Sequence, residues 1–156
     1  MGLEMSLIKR TYVRHWNFLN DKSLVIETRN DEKTKIKPER VSHITEIIFE
    51  WDLANQLHNW FLNRLNEGED NGEDLYVNTK DLEELLDLCK RVNENNNLAE
   101  QLLPTLEGPY FGETDYDEYY FEVIETTITY LEDLLLELSE DQFVDGFSQL
   151  IYTSSW

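Results

Sequence analysis

"VSHITEIIFEW", residues 41–51, is the stretch on which the fold turns. Thr45, Ile47, Phe49 and Trp51 alternate as one face of a strand does, while Ile44, Ile47, Ile48 and Trp51 fit one face of a helix equally well. β-branched residues cluster here, and they suit a pleated, half-buried surface better than a helix. The stretch therefore reads as a strand. Upstream, "GLEMSLIKRTYV" (2–13) and "SLVIETR" (23–29) are short, apolar and β-prone, and read as two more. Asn30–Lys37 reads as a charged turn before Pro38, which restricts the residue preceding it. Downstream, "LYV" (75–77) and "FSQLIYTSSW" (147–156) complete a set of strands.

Between these lie helical patterns. Asp52 is placed to cap "LANQLHNWFLNRLN" (53–66), where Leu53, Leu57, Trp60, Phe61 and Leu65 form one apolar stripe. "EGEDNGED" (67–74) is an acidic loop. Asn78 or Thr79 caps a helix running to about Val92, with Leu82, Leu85, Leu86, Cys89 and Val92 inward. "NENNN" (93–97) ends it, and a short helix through Leu103 stops at Pro104. The last helix is expected from about Asp115 to Leu138. Its core stripe is Phe121, Ile124, Ile128, Leu131, Leu135 and Leu138, with Tyr120, Thr127 and Leu134 alongside. Two overlapping patterns, Thr114-x-x-Asp117 and Asp115-x-x-Glu118, offer caps at its start. Strands with about three main helices, no repeat and no linker predict a single α+β domain over residues 1–156, with an antiparallel sheet.

The chain is 156 residues long with a formal net charge of −20, and the charge is lopsided. Residues 1–64 are nearly balanced at +1, residues 65–156 carry −21, and no basic side chain follows Arg91. Such a field repels nucleic acid and anionic membranes and favours basic partners. The plainer consequence of acidity is solubility. One cysteine, Cys89, excludes an internal disulfide framework. No leader-like segment opens the chain, and no run reaches the ~18 apolar residues of a membrane helix. A cytoplasmic location is expected.

Motifs for chemistry are sparse. His15, His43 and His58 have no metal-ligand spacing, and HExxH and CxxC are absent. "EGEDNGED" fails the calcium-loop pattern, because alignment on Gly72 puts Glu67 first and Asn78 twelfth. GxxxxGK[ST], GxGxxG and GxSxG are missing as well. Cys89 lies within an apolar stripe, where a buried thiol rather than a nucleophile is expected. No catalytic residue, metal or cofactor is implied, although so many carboxylates keep an unrecognised hydrolase among the alternatives.

Candidate binding residues lie elsewhere. His58 sits at the edge of its helix's stripe near Asn55, where it can serve as a hydrogen-bonding group at a pocket mouth or simply pack. "GPYFGETDYDEYYF" (108–121) brackets Tyr110 and Phe111 between two glycines. Tyr119 falls on the outer side of the following helix among Asp115, Glu118 and Glu122, an arrangement suited to a protein interface. Tyr110 and Phe111 could instead stack on a nucleotide base, with Lys9, Arg10, Arg14 or Arg40 offsetting the acidic surround. Trp156, at the chain's end, is expected to pack or to join such a site.

Four pieces together carry a resemblance: "MGLEMSLIKRTYV" (1–13), "ANQLHNWF" (54–61), "LLPTLEGPYFGETDYDEYYFEVIE" (102–125) and "YTSSW" (152–156). They resemble a family of small bacteriophage- and prophage-encoded proteins with no established activity. The charge split, the absence of catalytic motifs and this resemblance together lead to the expectation of a non-enzymatic binding or inhibitor protein acting in the host cytoplasm. Its partner would be a host protein with a basic surface, such as a defence or nucleic-acid-binding protein. A small-molecule binder, for instance a sponge for a nucleotide signal, is the alternative. Where relatives are expected to carry a basic pair before "ANQLHNWF", this chain has Asp52 and Leu53.

Overall fold

The computed structural model describes residues 2–13, 24–27, 33–37, 40–140 and 148–156. β1 (Glu4–Tyr12) is the strand about which the rest is arranged. Glu4–Asp52 to Tyr12–His43 pair it antiparallel with β4 (His43–Asp52), so the opening stretch is indeed a strand. On its other side β1 pairs with β6 (Ser148–Ser155), which in turn pairs with the short β5 (Leu75–Val77). All pairings are antiparallel and the order is β4-β1-β6-β5. β2 (Leu24–Glu27) and β3 (Lys33–Ile36) pair with each other as a second sheet. The expected charged turn at 30–37 is therefore half wrong: Lys33–Ile36 is a strand, because ladder pairing with β2 outweighs its polar composition, while 30–32 lie outside the described residues.

The alternation read along β4 is broken in the middle. Leu7 faces Phe49 and Ile8 faces Ile47, which leaves Ile48 as an extra residue, a β-bulge. Phe49 and Trp51 share the core face with Leu7 and Met5. Thr45 and Ile47 turn to the other face instead, and Ile47 is 63% exposed.

One sheet face carries the core: Met5 and Leu7, Trp51, Leu75 and Val77, Leu150 and Tyr152. Against it pack α1 (Asn55–Leu65), α2 (Thr79–Glu94) and α4 (Glu118–Glu140), with a 3₁₀ turn (Asn96–Leu98) and the one-turn α3 (Ala99–Leu102) between the last two. The architecture is α+β, as expected. α2 starts as its sequence dictates, with Asn78 accepting from the Asp81 N–H at 2.9 Å and the Asp81 carboxylate accepting from the Asn78 N–H at 3.0 Å. α4 buries Tyr120, Val123, Ile124, Thr127, Leu131 and Leu134. Phe121, Ile128, Leu135 and Leu138 are only partly covered, so the buried stripe is turned toward Val123 and Thr127. A specific bond fixes that rotation. Trp51 Nε1 donates to Thr127 Oγ1 at 3.0 Å, and Thr127 Oγ1 donates to the Val123 carbonyl at 2.7 Å.

Two helix starts differ from expectation. Asp52 does not cap α1. It ends β4, Leu53 turns the chain with φ at 51°, and Ala54 occupies the cap position without a side-chain bond. Leu53 consequently leaves the apolar stripe and is 39% exposed. α4 begins at Glu118, and neither Thr114 nor Asp115 is its cap. Asp117 Oδ1 accepts from the Tyr120 N–H at 2.9 Å instead. Among the described residues, no helix is long and apolar enough to cross a membrane.

Candidate functional site

Asn55, at the first turn of α1, organises the loop that follows Pro104. It is 1% exposed. Its Nδ2 donates to the carbonyls of Phe111 and Glu113 at 3.0 and 2.9 Å, and its Oδ1 accepts from the Leu106 N–H at 3.1 Å. The Tyr110 carbonyl accepts from the Leu3 N–H at 3.0 Å, tying the loop to β1. Tyr110 (φ 66°) and Gly112 (φ 85°) both take left-handed backbone there, and a Cβ at Gly112 would crowd Leu53 Cβ at 3.2 Å. The two glycines flanking "PYF" thus serve close approach: a Cβ at Gly108 would sit 2.4 Å from the Phe111 ring.

This staple separates the two aromatics. Phe111 is 4% exposed and meets His58 and Trp156 edge-on, with centroids 5.2 and 5.9 Å away. Tyr110 is 58% exposed and makes no ring contact with Phe111. The two do not form one stacking site. Lys9, Arg10 and Arg40 lie toward the Tyr12–His43 end of the β1–β4 pair, away from the Leu3 end that Tyr110 meets. Lys9 pairs with Glu46, and Lys9 and Arg10 lie roughly 16–20 Å along β1 from Glu4. Arg14 is outside the described residues.

His58 is fully buried, and the structure supplies the partners that its sequence neighbours did not suggest. Nδ1 lies 2.7 Å from the Tyr152 hydroxyl and Nε2 lies 3.0 Å from Asp70 Oδ2. Burial pushes the Tyr152 phenol well above its ordinary value, so it stays protonated and can donate to Nδ1 while Nε2–H donates to Asp70. The arrangement resembles an acid–histidine–hydroxyl relay. With His58 at 0% and Tyr152 at 1% exposure, no substrate reaches either without opening the core. Trp156 stands over it, 39% exposed, its ring 5.9 Å from His58. The cluster binds the acidic loop to β6.

The open site is around Tyr119. Its ring is 46% exposed, and its hydroxyl donates to the Asp52 carbonyl at 2.6 Å, holding the start of α4 against the end of β4. Burial first, then Asp52 and Glu122, raise its phenol above the ordinary range. A groove lies on each side. One, about 280 Å³, has Leu53, Gln56 and Tyr120 in its walls and Glu113, Asp115 and Asp117 along it. The other, about 200 Å³, carries Glu50, Asp52 and Glu122 beside Tyr130. None of these six carboxylates makes an ion pair with a described residue. Round the end of the sheet, Glu4 stands directly opposite Asp52 and adds to the same negative potential, although like charges facing each other are unfavourable.

Asp115 and Glu122 are therefore part of one acidic surface with Tyr119, as their spacing suggested. Glu118 is exposed on the first turn of α4 but lines neither groove. Asn55 and His58 hold structure together, and Trp156 covers His58. Gln56, Glu113, Asp117, Asp52 and Leu53 were not legible as site residues, because Asp52 and Leu53 come from a strand end and Glu113 from a loop. Comparison with known protein families, curated proteins and solved structures returned no match.

Proposed function

We propose that this is a non-enzymatic binding protein of bacteriophage type whose acidic surface, centred on Tyr119, docks on a basic surface of a host protein. One observation carries the reading: a half-exposed, hydroxyl-anchored tyrosine lies between two grooves whose carboxylates hold no ion pair with a described residue. Tyrosine anchors are common at the centre of interfaces, and pre-positioning one lowers the entropy lost on binding. The surrounding negative potential would steer a basic partner and speed its association. Host nucleic-acid-binding or defence proteins offer such basic surfaces, and inhibiting one of them is the function proposed.

The test is affinity capture from host lysate with the wild-type chain, Tyr119→Ala, and a triple variant Asp115→Lys, Glu118→Lys, Glu122→Lys. The reading expects a captured partner that elutes with salt and is lost with both variants. An identical set of partners across all three chains would sink it.

A further inference from the structure

The groove formed by Gln56, Leu53 and the start of α4 has a composition that points to one ligand class. Its hydroxyl donors are already committed inside the protein. Thr105 Oγ1 donates to the Thr114 carbonyl, Tyr119 to the Asp52 carbonyl and Tyr120 to the Leu103 carbonyl. What remains open is acceptors. Glu113 and Asp115 make no side-chain hydrogen bond or ion pair to the described residues, and Asp117 uses one oxygen on the Tyr120 N–H.

Gln56 is the second and independent sign. Its side chain belongs to a residue only 3% exposed, and its Nε2 donates to the Tyr120 carbonyl at 3.3 Å. Its Oε1 accepts nothing from the described residues. Every fully buried side-chain nitrogen and oxygen among the described residues is bonded, so this oxygen is not sealed in the core and opens on the groove that Gln56 lines. An amide oxygen at the wall of that groove faces solvent, so a ligand donor can take the place of water there.

We infer that this groove takes a single arginine side chain of the partner, an inference that rests on the docking reading above. The volume, about 280 Å³, falls just below the roughly 300 Å³ at which pockets for drug-sized ligands begin. It suits one side chain and not a nucleotide, whose phosphates the carboxylates would also repel. A guanidinium brings five donors in a plane and is weakly hydrated, so it can meet Gln56 Oε1 and the carboxylates together while stacking on a tyrosine ring. An ammonium brings three donors and a tightly held water shell.

The test is an NMR titration of the ¹⁵N-labelled full chain at low salt with three probes: the Nα-acetyl amides of arginine, lysine and citrulline. The expected result is saturable shifts for the arginine probe at the Gln56 side-chain amide and the Gly112 and Tyr119 backbone amides. Binding should be about tenfold or more tighter than for citrulline, which keeps the shape without the charge, and also tighter than for lysine. Glu113→Gln with Asp115→Asn should weaken arginine binding by a similar factor, while Asp133→Asn, on a distant part of α4, should not. The wild-type-like backbone spectrum of each variant serves as the folding check. Equal binding of citrulline or lysine, shifts spread over the acidic face, or no saturable shift would each overturn the inference. Those failures are separable from failure of the docking reading. A partner lost with Tyr119→Ala but an untitrated groove refutes the arginine site alone. A titrated groove with capture indifferent to Tyr119→Ala refutes the docking reading.

Discussion

Asp70, on the acidic loop, reaches the buried His58 at 3.0 Å, and the opposite ring nitrogen is 2.7 Å from the Tyr152 hydroxyl. Helix α1, the acidic loop that follows it and the distant strand β6 are thus joined through one imidazole. Tyr152→Phe leaves Nδ1 unpaired in the core and should cost about 1–3 kcal/mol. Asp70→Asn keeps an acceptor at a position that water also reaches, and should cost under about 1 kcal/mol. Urea unfolding of both variants checks the order. Equal losses would mean that the phenol–imidazole bond is not the stronger member.

Asn55→Ala removes three bonds to the loop over 106–113. At about 1 kcal/mol each the loss is roughly 3 kcal/mol. Hydrogen exchange should quicken first at Leu106 and in the neighbouring loop amides while α2 keeps its protection. Uniform acceleration along the chain would show that the bonds act globally and not as a loop staple.

Gly108→Ala places a Cβ against the Phe111 ring. Phe111 must move, and overpacking of this kind costs about 1–3 kcal/mol. Because Phe111 meets both His58 and Trp156, the aromatic near-ultraviolet signal should change along with the unfolding midpoint. A lowered midpoint with an unaltered aromatic signal would place the strain elsewhere.

Burial raises the Cys89 thiol from 9.0 to about 12. The unfolded chain ionises first, so this group's contribution is intact below about pH 9 and is lost as pH rises toward 12. The native state then binds more protons than the unfolded one, and stability falls by roughly 1 kcal/mol per pH unit, a few kcal/mol by pH 11. Buried Tyr120 and Tyr152, also raised, steepen the fall above pH 10. Cys89→Ala should show a shallower decline between pH 8 and 10 than the wild type, measured as urea midpoints. Parallel curves would mean that the thiol does not carry this dependence.

Much of the secondary structure is readable from short-range rules. The Asn78–Asp81 capping box, the stripe Leu82-Leu85-Cys89-Val92, the stop at Pro104 and the β-prone ends 2–13 and 147–156 all involve residues a few positions apart. Local pattern misled where a neighbour intervened. Ile48 bulges because β1 fixes the register on both sides of it, and Leu53 leaves the α1 stripe because its N–H bonds the Leu3 carbonyl at 2.8 Å. The charge split toward the second half was plain from composition, and Tyr119, Asp115 and Glu122 could be named from helical spacing alone.

In "GPYFGETDYDEYYF" the glycines are required by the Phe111 ring and Leu53, and Asp117 is the cap that the two overlapping patterns obscured. Chain-local chemistry, meaning periodicity, caps and β-propensity, suffices for which segments are helix or strand, because those energies act within about one turn or one pleat. The His58 relay, the Asn55 staple and the Gln56 groove rest on partners 12 to 94 residues apart. No spacing encodes such meetings. They follow from packing α1, the loop after Pro104 and α4 on one sheet face, where each buried polar atom must find a partner or be left facing the open groove.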